Sequence, residues 1–438
     1  MLCPNDQLLP SFYHHNMETV SKVLVTGAGP VGLTVALRLA QSGIHVDMIE
    51  KNIGLNPTTR AAGYYGATLV ALARTGVLDK AVAIGTHSNS LCWRKPLADD
   101  DNGGKRLGDI IAKMAFPPIE VGPGQKPLSA LLLPQCKLTK LLYDEAILTG
   151  RVSVKFGCEL IGIEDNGDEI HARVKRVDTG EEETYTASFL VGADGAKSAT
   201  RKLLDIPFKG HSWPERLVAI DCIFETPPDI AAMPTSFIVH PVHFGIITPL
   251  DRFEIGKKSK FRVAAAVDPK DDLSDEELIS AEYTKTLMEK MVPGPRPLET
   301  EVTHVALYRI HQLCASTFRR GRCVLAGDAA HLNNPFGAMG LSNGLLDADA
   351  LSDALELIIN KGNPLSILDV YSHERLKVFQ FFVDPTTTQN KLRCASDPDR
   401  ITDDWMISAL LNDNRTLKKG FAKQFVEQWR TDMRALVG

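Results

Sequence analysis

The segment "KVLVTGAGPVGLTVALRLAQSGIHVDMIEK", residues 22 to 51, constrains the fold more than any other part of the chain. Val23, Leu24 and Val25 form a short apolar run of the kind buried in a parallel sheet. Gly27, Gly29 and Gly32 follow in GxGxxG spacing, and the apolar positions Val31, Val35, Leu37 and Leu39 suit a helix that stops at Gly43. A second strand, "IHVDMIE", ends in Glu50. Strand, turn, helix and strand in this order form a βαβ unit, which commits the chain to an α/β fold built on a parallel sheet. Each glycine has a task if a dinucleotide binds here: Gly27 for the tight turn, Gly29 for close approach of a pyrophosphate, Gly32 for helix–strand packing. The helix N-terminus offers free amides to phosphate, and Glu50 stands where an adenosine ribose would need an acceptor. The unit leaves NAD(P) and FAD equally open.

At 438 residues the chain is too long for one small core, so two domains or one large interleaved body are expected. Hydrophobic residues make up 44% and charged residues 24%, an ordinary globular balance that excludes a disordered chain. The net charge of −5 is mixed along the sequence and gives no reason to expect nucleic acid as a partner. Eight cysteines are scattered without a CxxC pair, which reads as reduced thiols in a cytoplasmic protein, with neither a disulfide framework nor a metal site. No stretch is apolar enough for a membrane anchor, and residues 1–21 read as an extension without a signal peptide.

Two later motifs share the strand-then-turn pattern. In "YTASFLVGADGAKSATRKLL" the run Phe189, Leu190, Val191 is followed by Gly192, Asp194 and Gly195, with Ser198 opening a helix that carries Arg201. Taken alone this is an Asp-Gly turn, a serine cap and a surface arginine. In "RCVLAGDAAHLNNPFGAMG" the run Val324, Leu325, Ala326 precedes Gly327 and Asp328, at the carboxyl edge where open α/β sheets bind ligands. A helix is expected after Gly337 and Gly340, its amides aimed at whatever lies in front, and a flavin's pyrimidine edge suits them.

The GxGxxG turn, the "GADGAKSATR" motif and the "GDAAH…P" motif resemble, in order and spacing, the single-component (class A) flavoprotein monooxygenases, aromatic hydroxylases of the p-hydroxybenzoate and phenol hydroxylase kind. The resemblance runs from about Lys22 to about Lys377. It implies a Rossmann-like FAD-binding domain, a β-sheet substrate domain and a C-terminal helical segment within the α/β class. Non-covalent FAD would be held at Gly27, Gly29, Pro30, Val31 and Gly32, with Glu50 and Lys51 beside the adenosine. Arg60 would face the flavin, and Gln135 would contact it from the start of a helix. Asp194 and Gly195 would support flavin and nicotinamide binding, while Gly327 and Asp328 would hold the ribityl chain. Pro335 would lie at the reactive edge, with Gly337, Gly340, Leu341 and Ser342 around the pyrimidine. Arg60 and Pro335 are therefore the expected catalytic positions. One departure stands out: family members often read GGQGxN after the proline, and here Ala338, Met339 and Ser342 replace the second Gly, the Gln and the Asn.

The implied organisation is an FAD-binding part over 22–205 (with 91–127 contributing to the substrate domain), a substrate domain over 206–304, a second FAD-binding part over 305–383 and a helical tail over 384–438. The runs "RLVAIDCIFE", "TSFIVH", "HFGIITPL" and "FRVAAAV" read as strands. "DLSDEELISAEYTKTLMEKM" reads as one helix, with Ser274 and Glu277 at capping-box spacing. His240, His243 and His331 read as bonded structural histidines, Tyr64 and Tyr65 as core, and residues 98–108 as a plain loop. The expected activity is insertion of one oxygen atom from O2 into an aromatic or related electron-rich small molecule through a flavin C4a-hydroperoxide, with NAD(P)H as reductant, in a monomer or homodimer. Hydroxylation leads, and epoxidation and Baeyer–Villiger insertion share the scaffold. The altered "GAMGLSNG" keeps a flavin oxidase or dehydrogenase, reduced directly by its substrate, as the second reading, and a non-catalytic flavin binder as a third.

Overall fold

The glycine turn shows why the first βαβ unit closes as it does in the computed structural model, which describes residues 22–412, 420 and 423–437. The expected N-terminal extension lies outside the described residues. Gly27 has φ +99°, and a Cβ there would lie 2.4 Å from the Ala193 carbonyl oxygen. A Cβ on Gly32 would meet the Gly27 carbonyl oxygen at 2.1 Å, so the helix can approach the strand only with glycine at this position. Between these contacts lie the strand Lys22–Thr26 and the helix Pro30–Gln41, with Gly43 (φ +85°) ending the helix.

The first strand is third in a six-stranded sheet ordered Val152–Phe156, His45–Glu50, Lys22–Thr26, Phe189–Gly192, Cys323–Leu325, Arg319–Arg320. The first five run parallel and the last is antiparallel. All three motif-bearing strands are adjacent, in the order 22–26, 189–192, 323–325, so their turns meet at one carboxyl edge. A three-stranded antiparallel meander, residues 158–187, packs alongside.

The second layer is an eight-stranded sheet: His331–Leu332, Glu301–Ala315, Phe208–Glu225, Lys258–Ala266, Gly245–Pro249, Thr235–Ile238, Ser90–Arg94, Ile110–Ala115. Its two longest strands, Phe208–Glu225 and Glu301–Ala315, pair antiparallel and carry the chain out of the nucleotide-binding body and back. The strand Glu301–Ala315 runs through the domain boundary drawn at 304/305, and segment 91–127 supplies the last two strands. One face of the sheet buries Val218, Ile220, Phe224, Ile247, Phe261 and Val263 with Leu287, Met288 and Met291 of a helix above.

Three local expectations need correction. The helix expected over 272–291 is two, Asp275–Leu278 and Ala281–Met291, because Ser280 breaks away to accept from the Tyr283 amide and cap the second. The Ser274–Glu277 capping box is present with both of its bonds. Residues 98–108 are no plain loop: Ala98–Asp99 and Lys105–Arg106 form a small hairpin, tied to Gly294 by two backbone bonds. Arg201 is buried, not on the surface; its guanidinium donates to the Ala329 and Ala196 carbonyls and stacks 3.8 Å from the Phe208 ring.

The tail packs on the body. A helical run Ile367–Val378, Phe379–Val383, Asp384–Cys394 is continuous across 383/384, and its middle section is π-helical. Further on, Arg430 and Arg434 reach Asp349 and Asp353 of the helix Met339–Lys361, which also bind Arg74. Deeper in, Asp347 and Arg375 pair at 2.7 Å with no side-chain exposure. Asp347 also accepts from the Gly327 amide and from His331, and Arg375 donates to Asn343, Thr431 and the Trp429 carbonyl. Burial alone would push the Asp347 carboxyl up, but His331 and Arg375 together hold it below the ordinary value. A carboxyl depressed in the folded state adds stability that is complete above its unfolded value near about 4 and is lost as pH falls through the folded one. Arg375→Met is expected to strand that charge, costing about 3–5 kcal/mol, with a lower unfolding temperature on thermal denaturation at pH 7. The difference from the parent should shrink as the pH of the melt is taken below about 4, where Asp347 titrates.

Candidate functional site

The candidate cofactor cleft is the carboxyl edge of the parallel sheet, where segments far apart in sequence are joined by specific contacts. A Cβ on Gly27 would strike Ala193 and Asp194, which seats the first turn against the second motif. Gly327 and Gly344 both lie against the Val31 side chain, which seats the third motif against the start of the first helix. Gln135, first residue of the helix Gln135–Leu148, accepts from the Ala61 amide beside Arg60. Gly63 faces Ala338.

The expected residues fall into three groups. Gly29, Val31, Glu50, Gln135, Asp194, Gly195, Asp328, Gly337, Gly340 and Leu341 are half-buried, and Arg60 and Pro335 are exposed, so all of these keep surface open to a ligand. Gly27, Pro30, Gly32 and Gly327 are buried and shape the turns. Ser342 reaches no surface, and its buried hydroxyl has no partner among the described residues; Lys51 turns away to pair with Glu159 at 2.7 Å.

The carboxylates are used differently. Glu50 accepts from the Ala28 amide at 2.9 Å and from Asn52, so it holds the glycine turn while standing at the cleft rim. Asp194 accepts from the Ser198 hydroxyl at 2.5 Å and from the Thr200 amide and hydroxyl, capping the helix Ala199–Leu203. Asp328 lies in a short 3-10 turn, Gly327–Ala329, and accepts no hydrogen bond among the described residues. Burial pushes its carboxyl above the ordinary value, against the pull of His331 and Arg60. An unpaired carboxylate in such a place calls for hydroxyl donors.

The helix expected after Gly340 begins earlier, at Met339, and Ala338 caps it in left-handed backbone with φ +53°. Alanine thus holds the conformation of the glycine it replaces, at a cost of about 1–2 kcal/mol. The Ala338 amide donates to the Pro335 carbonyl, closing a tight loop in front of the helix. His331 is buried and paired with Asp347, His240 accepts from the Val242 and His243 amides, and His243 lies 2.8 Å from the Lys290 ammonium. Tyr65 is bonded, through its hydroxyl, to the Gly337 carbonyl; Tyr64 is core as expected, its buried hydroxyl without a partner among the described residues.

Several residues with evident roles were not singled out from the sequence. Arg262 and Asp221 form a buried, two-pronged ion pair (2.7 and 2.9 Å) on the sheet face opposite the helix-covered one, and Arg262 also donates to the Arg60 carbonyl at 3.0 Å. Next to this pair, Phe237, Ile246, Ala264 and Ala219 sit opposite one another across four strands and form an apolar row on the same face. Phe336, one residue beyond Pro335, packs its ring 5.3 Å from Phe244 and 6.3 Å from Phe237. The row therefore lies between the Arg60 loop and the Phe336 loop. Period-two alternation marks such positions as facing one side, but only the register says which side and opposite what.

The cleft fits FAD on grounds independent of the motifs. A Cβ on Gly29 would meet nothing within 4 Å, as a pyrophosphate path requires. Asp328 waits for hydroxyl donors, and the amides of Met339 and Gly340 head a helix 23 residues long.

Fold and cleft together define an FAD-binding α/β protein with a sheet laid beside the flavin site. Residues 20–386 match the FAD binding domain family, and the chain belongs to it. It is 34% identical to para-nitrophenol 4-monooxygenase of Pseudomonas sp. strain WBC-3, over 92% of this chain and 95% of that protein. It is 30% identical to 6-hydroxy-3-succinoylpyridine 3-monooxygenase of Pseudomonas putida S16, with the same shares covered. The structure of p-nitrophenol 4-monooxygenase PnpA from Pseudomonas putida DLL-E4 superposes with TM-score 0.80 at 31% identity, covering 93% of this chain and 99% of that one. The chain is an FAD-dependent monooxygenase of the aromatic-hydroxylase family. No helix among the described residues is long and apolar enough to cross a membrane.

Removing the Asp328 carboxylate tests the cleft. Asp328→Ala is expected to weaken FAD binding about 10- to 100-fold, the worth of charge-assisted hydrogen bonds, measured by fluorimetric titration of the flavin-stripped protein. Full flavin occupancy in that variant after gel filtration would remove Asp328 from the site.

Proposed function

We propose that the protein hydroxylates a small, single-ring phenol or hydroxypyridine, using NAD(P)H as reductant. The observation that carries this reading is the apolar row Phe237–Ile246–Ala264–Ala219, walled by Arg60 and Arg262 on one side and Phe336 on the other. Two alanines at one end of the row leave depth for a flat ring, and Phe237, Phe336 and Ile246 offer it apolar and aromatic contacts. Two similar proteins act, by their names, on hydroxylated one-ring aromatics, a nitrophenol and a hydroxypyridine.

FAD, when bound, supplies the activation of oxygen. The chain's own part is to hold, orient and exclude. Gly27, Gly29 and the first helix's amides would hold the pyrophosphate, Glu50 the adenosine side and Asp328 the ribityl hydroxyls. The amides of the helix Met339–Lys361 would hold the pyrimidine edge, and Pro335 would lie over the reacting face. Arg60 is exposed and electrostatically coupled to Asp328, so it would place positive charge at the cleft where an anionic ring or reductant approaches. Phe336 and the apolar row would keep water from the reacting carbon. The exposed Arg60 guanidinium would favour the phenolate form of a phenol beside it, with the proton leaving to solvent, while the charge of Arg262 is balanced by Asp221.

The test is anaerobic bleaching of the visible flavin band by NADPH and NADH, with and without a panel of substituted phenols and hydroxypyridines. Faster bleaching with a one-ring compound is the expected result. Bleaching by the aromatic alone, with no nicotinamide, would instead establish a flavin oxidase. The alanine row makes a second prediction: Ala264→Phe should fill the ring space, retain FAD, and abolish the acceleration by phenols at least tenfold in KM, about 1.4 kcal/mol of lost binding. Unchanged KM values in that variant would place the substrate elsewhere.

A further inference from the structure

The loss of the family's Gln and Asn side chains at Met339 and Ser342 leaves the flavin-facing end of the long helix with backbone donors alone. Backbone donors are useful only if the peptide planes are fixed, and the preceding residue, Ala338, sits in strained left-handed backbone. Something must hold the Gly337–Ala338 peptide. Its N–H donates to the Pro335 carbonyl, and its carbonyl accepts from the Tyr65 hydroxyl at 2.6 Å.

Tyr65 is itself fixed from the far end of the chain. Its ring centroid lies 5.4 Å from both Phe425 and Trp429, and 5.1 Å from Phe116. Gly66, with φ +58°, lies so close to the Phe425 carbonyl that a Cβ would approach it to 2.5 Å. Trp429 is fully buried, and its indole N–H donates to Asn343 Oδ1 at 3.0 Å, in the second turn of the same long helix. The C-terminal segment therefore touches the end of the strand Gly63–Tyr65 through Tyr65 and Gly66, and the long helix through Asn343. Burial pushes the Tyr65 phenol above its ordinary value, so it stays a donor throughout the working pH range.

We propose that Tyr65, clamped by Phe425 and Trp429 of the C-terminal segment, is a positioning residue that fixes the Gly337–Ala338 peptide and through it the amides presented to the flavin pyrimidine. It takes over the orienting task left vacant at Met339 and Ser342. This rests on the assignment of that helix end to the flavin. It gives the segment 424–431 a part in the cofactor site by way of Tyr65 and Asn343.

Tyr65→Phe keeps the ring and its aromatic neighbours and deletes only the bond to Gly337. With the full-length protein, the expected result is FAD binding weakened about threefold to tenfold, measured by titrating the stripped protein. The flavin midpoint potential should also become more negative, because amide support for the reduced pyrimidine is loosened, and more hydrogen peroxide should be released per NAD(P)H consumed. Trp429→Phe, which keeps an aromatic ring but loses the bond to Asn343, should move the potential in the same direction by less. Unchanged FAD affinity and potential in Tyr65→Phe overturn the proposal, whatever its melting temperature does. Asp328→Ala measured alongside separates the causes. If it loses FAD while Tyr65→Phe matches the parent, the positioning role fails and the flavin cleft stands; if neither variant changes FAD binding, the cleft assignment itself has failed.

Discussion

One buried carboxylate holds the architecture together. Asp347 sits on the long helix with no exposure to bulk solvent, so it is tolerable only because His331, Arg375 and the Gly327 amide all point at it. Those three partners belong to the strand end after the parallel sheet, the following helical run and the turn of the third motif. Arg375 then extends the network to Trp429 and Thr431. Apolar groups could fill the same volume, but they would lose the bonds that tie the Gly327 amide and His331 to the long helix. Here the charges fix where the third motif ends, and therefore where Asp328 stands.

The cofactor cleft follows from that fixation together with sheet order. Three strand-turn units, separated by more than a hundred residues each in sequence, become neighbours because strands 22–26, 189–192 and 323–325 lie side by side. Their turns converge on one edge, and Arg201 ties the second to the third through the Ala329 carbonyl. The long ribbon of strands 208–225 and 301–315 then carries a second sheet over the site, with the Arg262–Asp221 pair stapled to the Arg60 carbonyl. The Arg60 loop and the second sheet thus share a hydrogen bond, and a displacement of one is felt by the other.

The amino-acid sequence made much of this legible where the controlling physics is local. Glycine turns, the Ser274–Glu277 capping box, Gly43 as a helix stop and the strand-turn character of all three motifs depend on residues a few positions apart. Arg201 was misjudged because an arginine three residues after a serine cap looks exposed, and only Phe208 and Ala329 bury it. The single helix expected over 272–291 failed on Ser280, a second cap inside a stretch with helical periodicity. Ala264, Ala219 and Ile246 could not be singled out, since alternation tells that they share a face only after the register across four strands is known. The C-terminal contacts to Tyr65 were beyond reach for the same reason: the partners lie hundreds of positions apart.

The parallel pairing of Thr235–Ile238 with Ser90–Arg94 has a consequence for how the molecule is made. The second sheet cannot be completed from its own continuous stretch of chain, because two of its strands are translated long before the others. During synthesis Ser90–Arg94 and Ile110–Ala115 can pair with each other, but the other edge of Ser90–Arg94 must stay open while the meander and the second motif emerge. The segment between residues 206 and 304 is therefore not a portable module. Grafting it onto another flavin-binding body to transfer substrate preference would cut through Glu301–Ala315 and leave out Ser90–Arg94 and Ile110–Ala115, with Phe237 exposed where Trp93 now stacks on it. Recombination within this family is expected to succeed only when residues 90–115 travel with the rest of the sheet.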